Sequence, residues 1–453
     1  RRGRRLGRVA AAGGRMAQST EAELVLASAS PRRRALLSAV GVPFRAVVSG
    51  APEHARPGEA PPQLVQRLAL EKAQRVREGQ PGARLVLGAD TVVALGAESI
   101  GKPRDTAHAA QLLGRLLGRT HSVWSGVALL GPGAQAQHFA VESRVSLRAA
   151  SEAEVRAYLA TGESLDKAGA YALQGDGARF VSALRGSRTN VVGLPLDETL
   201  ALLGKAGVAE AGLGAQVGAR LAAAQARIAA AARRAGREAD SVALLGAAKL
   251  QPAPRVAAAA LAGLTLAGEN RVQEAQRKLP ELAQRLAPSG CAPPRWHFIG
   301  QLQRNKARWA ARLFDCIESV DRLSLARDLD RHAAEAGRRL DILVQVKLGA
   351  AAQRGGVNPE ELTGLLDGLT ALPHLRIRGL MGIPPAGATP EQTRAAFARL
   401  RGLRDAAGAG VLPELSMGMS ADFELAIAEG ATIIRLGRAL FGGREGAAGT
   451  QAA

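Results

Sequence analysis

The sequence predicts an α/β protein of two domains, the second of which is a (β/α)8 barrel. At 453 residues the chain is too long for one ordinary hydrophobic core and suits two or three domains. Apolar runs alternate with amphipathic segments, as in a sheet whose strands are connected by helices. Near residue 204 a stretch rich in Gly and Ala interrupts this alternation, which indicates a domain boundary.

This pattern divides the chain into five segments. Residues 1–20 form a disordered or leader segment, and residues 21–203 form the first domain. A linker covers 204–215, because this stretch has no apolar period. The second domain covers 216–444, beginning with a helix rich in Ala and Arg, and a disordered tail covers 445–453.

The barrel is predicted from eight short apolar runs in the second domain, each separated from the next by a helical segment. Eight such units in succession close into a parallel barrel, with ligand sites at the carboxyl ends of its strands. The runs cover residues 242–248, 264–270, 295–300, 316–320, 341–346, 376–383, 414–418 and 432–437.

The composition indicates a soluble, cytoplasmic protein without a nucleic-acid partner. Lys and Arg outnumber Asp and Glu by 60 to 40, but the basic residues lack the interleaved aromatics of a single-strand binding surface. Small phosphorylated ligands explain the positive charge equally well. No uninterrupted apolar run is long enough to span a membrane. Cys291 and Cys316 have no metal-ligand spacing, which favours a reducing compartment.

The first fifteen residues contain arginine but no acidic residue and no apolar run of the secretory type. They are either an organelle-targeting leader or sequence that precedes a start at Met16. We favour the second interpretation.

Several charged motifs in the first domain lie where strands end or helices begin. In the run SASPRR, a turn from Ser28 leads into a helix whose first turn holds Arg32 and Arg33, a suitable position for binding polyphosphate. Asp90 ends an apolar run in GADTVV. Each motif alone also fits a capped helix or a capped turn. Further motifs are EKA at 71–73, GKP at 101–103, DKAGAYALQG at 166–175 and NVVGLPL at 190–196.

In their order, these motifs closely resemble the Maf family of nucleoside triphosphate pyrophosphatases. The resemblance implies a mixed sheet with a central cleft and hydrolysis between the α and β phosphates, with Mg²⁺ or Mn²⁺. The forms GADT and DKAGAYALQG resemble the subfamily that acts on dTTP and UTP. By this match Asp90 is the catalytic base, and Asp90 and Glu53 hold the metal. The substrate-binding residues would be Ser30, Arg32, Arg33, Glu53, Lys72, Thr91, Lys102, Asp166, Lys167 and Gln174.

In the second domain, Lys249 follows the first predicted strand, and Gly- and Ser-rich loops follow the seventh and eighth. A lysine opposite a phosphate-binding loop in a barrel suggests a Schiff base with pyridoxal phosphate. Lys249 alone could equally be an ordinary solvated lysine. The motifs that accompany it are GENRVQE at 268–274, WHFIGQLQRNK at 296–306, IRGLMGIPP at 377–385 and LSMGMSADFELAIAEGATIIRLG at 415–437.

Residues 216–444 thereby resemble the YggS family of pyridoxal phosphate homeostasis proteins, whose barrel is of the alanine racemase N-terminal kind. The resemblance implies that the cofactor is bound by Lys249, Asn270, Ser416, Gly418, Ser420, Arg435 and Gly437. His297 and Met381 either touch the cofactor or belong to the core. The chain departs from the family patterns at Arg188, where an aromatic residue is common, and at Arg438, where Thr is common.

Two alternatives stay open for function. The second half could be an amino-acid racemase, but such enzymes commonly need a Tyr on the far face of the cofactor. Tyr158 and Tyr171 both lie in the first half. Alternatively, both halves could be non-catalytic scaffolds. The partners expected are nucleoside triphosphates and pyridoxal phosphate, and a homodimer through the first half is a further alternative.

Overall fold

The computed structural model describes residues 24–132, 135–349, 355–408 and 410–442. The expected leader at 1–20 and tail at 445–453 lie outside these residues. Within them, no helix is both long enough and apolar enough to cross a membrane.

The first half contains the mixed sheet that was expected. Seven strands of the described chain form it in the order β2-β1-β3-β5-β6-β7, with β4 paired to β3. Strand β1 runs parallel to β2 and β3, and the other pairs are antiparallel. The strands are β1 (Leu24–Ala27), β2 (Arg45–Val47), β3 (Leu85–Leu95), β4 (Glu98–Ile100), β5 (Thr120–Leu130), β6 (Gln137–Leu147) and β7 (Val181–Arg185).

One helix of the first half packs unusually close to the sheet. The helices are α1 (Pro31–Ala39), α2 (Pro61–Gly79), α3 (Thr106–Leu116), α4 (Glu152–Leu159), α5 (Arg188–Val192) and α6 (Leu196–Lys205). A Cβ at Gly88 would lie 2.0 Å from the Ala69 carbonyl oxygen, and a Cβ at Gly126 would lie 2.1 Å from that of Val65. Glycine at both positions therefore lets α2 approach β3 and β5, which brings Lys72 to the sheet.

The second half is a closed barrel of eight parallel strands, so the predicted barrel and its eight strand runs are confirmed. These strands are buried almost throughout, which explains why they read as apolar runs. They are β8 (Ala243–Ala247), β9 (Leu266–Glu269), β10 (Arg295–Phe298), β11 (Cys316–Val320), β12 (Leu340–Lys347), β13 (Leu375–Ile383), β14 (Glu414–Ser416) and β15 (Ile433–Leu436).

Helices cover the outside of the barrel. Buried apolar residues of the strands and helices form one large core cluster. The helices are α7 (Ala209–Arg234), α8 (Ala253–Leu261), α9 (Val272–Leu286), α10 (Ala307–Leu313), α11 (Leu323–Glu335), α12 (Leu362–Thr370), α13 (Pro390–Ala406), α14 (Phe423–Ala428) and α15 (Arg438–Phe441).

The segment 204–215, expected to be a linker, is helical except at residues 206–208. Its glycines serve close packing between helices. A Cβ at Gly204 would lie 2.7 Å from the Cα of Gly212, and a Cβ at Gly214 would lie 3.0 Å from Leu200. The prediction of an irregular linker was wrong because glycine at a helix contact and glycine in a flexible linker look alike in sequence.

The two halves also share a hydrophobic core. Leu200 and Leu203 of α6, Ala211 of α7 and Ala258 of α8 are all buried in one cluster, and Leu261 packs against it. Association of the halves therefore removes apolar surface from water, as in the interior of a single domain.

Candidate functional site

A cavity of about 450 Å³ opens in the first half, where β1 ends and α1 begins, beside the middle of β3. The expectation that Asp90 ends a strand was wrong, because the apolar run continues after it and β3 extends to Leu95. Every site residue predicted for this half lines it. The lining includes Ser30, Arg32, Arg33, Glu53, Lys72, Asp90, Thr91, Lys102, Asp166, Lys167 and Gln174. The structure thus brings together residues that the chain spreads over more than a hundred positions, while their individual roles stay predictions.

At one side of the cavity, Lys72 lies between two carboxylates. Its Nζ donates to Oδ1 of Asp90 and to Oε1 of Glu53, both at 2.5 Å. Lys72 and Asp90 are buried, whereas the side chain of Glu53 is half exposed. Lys102 approaches the other oxygen of Glu53 at 3.9 Å. Burial alone would raise the pKa of Glu53, but the hydrogen bond from Lys72 and the positive charge of Lys72, Lys102 and Arg33 lower it.

This pair of carboxylates fits a divalent cation that is shared with a substrate. Within the described parts of the chain, no group of three or more His, Cys, Asp or Glu side chains could hold a metal ion. Glu53 and Asp90 both contact the same ammonium group and therefore lie close together. One or two carboxylates with phosphate oxygens are a common way of binding Mg²⁺ in phosphate chemistry.

The two arginines of the SASPRR motif differ in their surroundings. Arg33 is buried, and its guanidinium donates to the carbonyl oxygens of Gly193 and Ala89 at 2.8 Å, to Ser28 Oγ at 3.2 Å and to Thr91 Oγ1 at 3.1 Å. Most of its donors therefore hold the wall of the cavity together. Arg32 is part exposed and lies 3.7 Å from Asp166.

Thr91 is held in the same network. Its Oγ1 lies 2.8 Å from Ser125 Oγ and donates to the Gly193 carbonyl oxygen at 3.2 Å. Ser30 begins α1 as its cap, with its Oγ accepting from Arg33 N. Lys167 and Asp166, which also line the cavity, form an ion pair with each other.

Gln174 lines the cavity but is also bound by the second half. Its Nε2 donates to the carbonyl oxygen of Ser289, 115 residues further along the chain. Glu163, which sequence reasoning missed, fixes the adjacent turn by accepting from Asp176 N at 2.9 Å and Gly177 N at 3.1 Å. In the sequence, Glu163 was indicated only by its position shortly before the DKAGAY motif.

In the barrel, Lys249 lies in an exposed turn directly after β8. No hydrogen bond or ion pair joins its side chain to any residue that the structure describes. Strand β15 pairs with β8 in the register Leu436 to Gly246, so Lys249 and Gly437 lie at the same rim of the barrel. A free amine beside the loops that follow β14 and β15 fits a Schiff-base lysine.

The turn that carries Lys249 is held from α9. Lys278 Nζ donates to the Ala248 carbonyl oxygen at 2.7 Å, and Leu250 N donates to Glu274 Oε1 at 2.6 Å. Leu250 has φ of 62°, a left-handed conformation that is strained for a leucine. The two side chains of α9 therefore fix the backbone on both sides of Lys249. The sequence motif GENRVQE gave no indication of this role.

A second missed residue, Glu318, lies in the barrel interior. Its carboxylate accepts from Ser416 Oγ at 2.6 Å and contacts His297 Nδ1 at 2.7 Å. Arg435 donates to Ser416 Oγ at 2.6 Å and to the Gly382 carbonyl oxygen at 3.0 Å. Burial alone would raise the pKa of Glu318, but His297, Arg435 and Ser416 lower it. His297 is thus part of a polar network, and Ser416 and Arg435 face inward with it.

The loop between β14 and β15 has a fixed shape. Gly418 has φ of 91°, and a Cβ there would lie 2.6 Å from Cβ of Ala426, so only glycine fits. Ser420 Oγ accepts from Ala439 N at 3.2 Å, which joins this loop to α15. The side chain of Arg438 is exposed.

The remaining predicted residues of the barrel are less directly placed at its mouth. Asn270 follows β9 and is half-buried, at the same end of the barrel as Lys249. Met381 is buried in a small core cluster with Cys316 and Leu343, as the core interpretation expected. Cys291 is half-buried, and both cysteines are free thiols.

Comparison with known proteins supports the same division. The model of the family described as Maf-like protein matches residues 23–206, and that of the alanine racemase N-terminal domain matches residues 219–445. The chain belongs to both of these families. A dTTP/UTP pyrophosphatase of Myxococcus xanthus is 52% identical over 185 residues, which cover 41% of this chain and 93% of that protein.

The second half also has relatives that match it over nearly their whole length. A pyridoxal phosphate homeostasis protein of Pseudomonas aeruginosa is 45% identical over 220 residues, covering 49% of this chain and 92% of that protein. PipY of Synechococcus elongatus, solved with pyridoxal phosphate bound, is 41% identical. The match covers 50% of this chain and 100% of PipY, with a TM-score of 0.44.

Proposed function

We propose that the first half hydrolyses nucleoside triphosphates, with dTTP and UTP as preferred substrates, to a monophosphate and pyrophosphate. The observation that carries this proposal is the cavity in which Asp90, Lys72 and Glu53 meet Arg32 and Lys102. The 52% identity to a dTTP/UTP pyrophosphatase supports both the reaction and the substrate class.

In this reaction, water attacks the α phosphorus and the bond to the oxygen bridging the α and β phosphates breaks. Asp90 accepts the proton of the attacking water through its second oxygen, Oδ2, since Oδ1 accepts from Lys72. Lys72, Lys102 and Arg32 offset the charge that develops on the phosphates. A divalent cation held by Glu53 and Asp90 would supply Lewis-acid stabilisation of the phosphate oxygens.

A nucleotide panel tests this proposal. Purified full-length protein is incubated with dTTP, UTP, CTP, dATP and GTP in the presence of Mg²⁺ or Mn²⁺, and pyrophosphate release is measured. We expect the highest kcat/KM with dTTP and UTP. Release of inorganic phosphate without pyrophosphate would contradict the assigned bond cleavage.

For the second half, we propose binding of pyridoxal 5'-phosphate for cofactor homeostasis without an amino-acid reaction. The position of Lys249 at the rim shared with the β14 and β15 loops carries this proposal, and the 45% identity to a pyridoxal phosphate homeostasis protein supports it. Ser416 at the end of β14, together with Gly418 and Ser420 of the loop that follows it, would hold the phosphate. A racemase is disfavoured because Tyr158 and Tyr171 are buried in the first half.

Colour distinguishes this proposal from a scaffold without a cofactor. An internal aldimine absorbs visible light, so protein incubated with pyridoxal phosphate and desalted should remain yellow. A colourless protein after this treatment would favour the scaffold alternative.

A further inference from the structure

The side chain of Gln174 connects the cavity of the first half with the barrel of the second. It lines the cavity, and its Nε2 donates to the main-chain carbonyl oxygen of Ser289. The backbone next to Gln174 is held from within the first half, because Glu163 accepts from the amides of Asp176 and Gly177. The first half therefore places the backbone, whereas the second half holds the amide group.

The turn that holds this amide is well fixed in the barrel half. Residues Ala287–Ser289 form a 3-10 turn at the end of α9. Ser289 is buried, its Oγ donates to the Leu286 carbonyl oxygen at 2.6 Å, and it accepts from Cys291 N at 3.3 Å. Arg285, near the end of α9, donates to the Ser38 carbonyl oxygen of α1 at 3.2 Å, which joins the halves beside the turn.

Gly290 brings the turn into direct contact with Gln174. It has φ of 63°, and a Cβ there would lie 2.5 Å from Cγ and 2.9 Å from Cδ of Gln174. Any side chain at position 290 would therefore displace Gln174 or the turn itself. Glycine is required here both by the left-handed backbone and by the close approach.

The chemistry of the amide determines which way it faces. A carbonyl oxygen only accepts hydrogen bonds, so Gln174 must present its NH₂ group to Ser289, and its Oε1 is then turned away as an acceptor. Uracil and thymine present a ring N–H at N3, whereas cytosine presents a bare ring nitrogen at this position. A hydrogen-bond acceptor in the cavity can pair with the ring N–H of uracil or thymine. With cytosine the same acceptor would be left without a hydrogen bond, so the site disfavours cytosine.

We propose that the Ser289–Gly290 turn of the barrel half is a positioning element of the nucleotide site, and that it sets the preference for bases with a ring N–H by fixing the amide of Gln174. This inference rests on the proposed pyrophosphatase function of the first half. It gives the fusion of the two halves a physical consequence, because the second half helps to shape the site of the first.

The test compares two glycine-to-alanine variants of the full-length protein. Gly290→Ala introduces a Cβ against Gln174. Gly337→Ala is the matched control, since Gly337 has φ of 64° and no atom lies within 4 Å of its Cβ position. We expect Gly290→Ala to lower the selectivity for UTP over CTP, measured as the ratio of their kcat/KM values, by about tenfold. A tenfold change is the scale of one hydrogen bond, and it should arise mainly from KM. Gly337→Ala should leave this ratio unchanged while it imposes a similar backbone strain on the protein.

A double-mutant cycle with Gln174→Ala separates this inference from the proposed function. Once Gln174 is truncated, Ala at position 290 has no side chain to displace, so Gly290→Ala should cause no further change in the UTP to CTP ratio. If Gln174→Ala changes the ratio and Gly290→Ala does not, the positioning role of the turn is refuted. Absence of pyrophosphate release from wild-type protein with every nucleotide would instead refute the proposed function.

Discussion

Lys72 donates a hydrogen bond of 2.5 Å to Asp90 from α2, and this contact depends on the glycines that let α2 lie against the sheet. The ammonium group occupies Oδ1 of the Asp90 carboxylate, and Oδ2 is the oxygen that we propose accepts the proton of the attacking water. It also joins Asp90 to Glu53, so that the proposed base and the second carboxylate are positioned by one side chain.

Asp90→Asn should lower kcat for dTTP and UTP by at least about a hundredfold, because an amide cannot accept the proton of the attacking water. The measurement is pyrophosphate release at saturating nucleotide. Asp105→Asn is a suitable control, since Asp105 caps α3 and is exposed. An unchanged rate in Asp90→Asn would remove Asp90 from the mechanism.

Gly204→Ala should destabilise the protein, whereas Gly114→Ala should stabilise it by up to about 1 kcal/mol. Both glycines lie near the end of a helix, but a Cβ at Gly204 would lie 2.7 Å from Gly212 Cα, while no atom lies within 4 Å of a Cβ at Gly114. Thermal unfolding of the two variants measures the difference. Equal stabilisation by both substitutions would show that α6 and α7 are not in close contact.

The stability of the first half should fall as the pH is lowered from about 7 to 5. Burial lowers the pKa of His121 to about 4, and its Nε2 lies 2.7 Å from the Tyr171 hydroxyl. Between this value and the ordinary pKa near 6.5, the unfolded chain binds the proton and the folded chain does not. Unfolding is therefore favoured by roughly 2 kcal/mol at pH 5 relative to neutral pH.

Melting temperatures of wild type and His121→Gln at these two pH values check this expectation. Glutamine can still contact Tyr171 but does not titrate, so His121→Gln should lose much of the pH dependence. His138→Gln, at an exposed histidine, should retain it. A pH dependence that is identical in all three proteins would assign the effect to other groups.

The fold could be predicted from sequence where burial alone determines the pattern. The eight barrel strands read as apolar runs because they are covered on both faces, and their alternation with helices leaves few other arrangements. The glycines of 204–215 could not be interpreted in this way. Their function is to bring α6 and α7 together, and it depends on a partner helix that only the folded chain provides.

The candidate sites show the same limit. Asp90, Lys102 and Gln174 were found because they belong to recognisable motifs, and the structure places them around one cavity. Glu318 lies inside a buried strand, where nothing distinguished it from its neighbours in sequence. The hydrogen bond from Gln174 to Ser289 joins residues of different domains, so no local sequence pattern could predict it.

Glu274→Ala should weaken binding of pyridoxal phosphate by about tenfold, the scale of one charge-assisted hydrogen bond. Glu274 accepts from Leu250 N and thereby holds the strained turn that carries Lys249. Absorbance titration of cofactor-free protein gives the Kd. Glu274→Gln should retain most of the affinity because its amide oxygen can still accept, and Glu281→Ala, an exposed position on the same helix, should have no effect.

Lys249→Ala should abolish covalent attachment of pyridoxal phosphate, because it removes the amine and leaves the loops around Ser416 and Gly437 in place. Borohydride reduces a Schiff base to a stable amine, so intact mass should show the fixed cofactor on wild type and not on the variant. Lys347→Ala is the control, since Lys347 also ends a barrel strand but donates to Asn358 at 3.2 Å.

The same pair of proteins tests whether the barrel catalyses an amino-acid reaction. Alanine and serine should keep their chirality when incubated with the yellow wild-type protein, because Tyr158 and Tyr171 lie outside the barrel and cannot act on the far face of the cofactor. An adduct fixed on Lys249→Ala would place the attachment at another amine. Racemisation by wild type that disappears in Lys249→Ala would show that the barrel is a racemase, since a second acid or base must then reach the cofactor from within it.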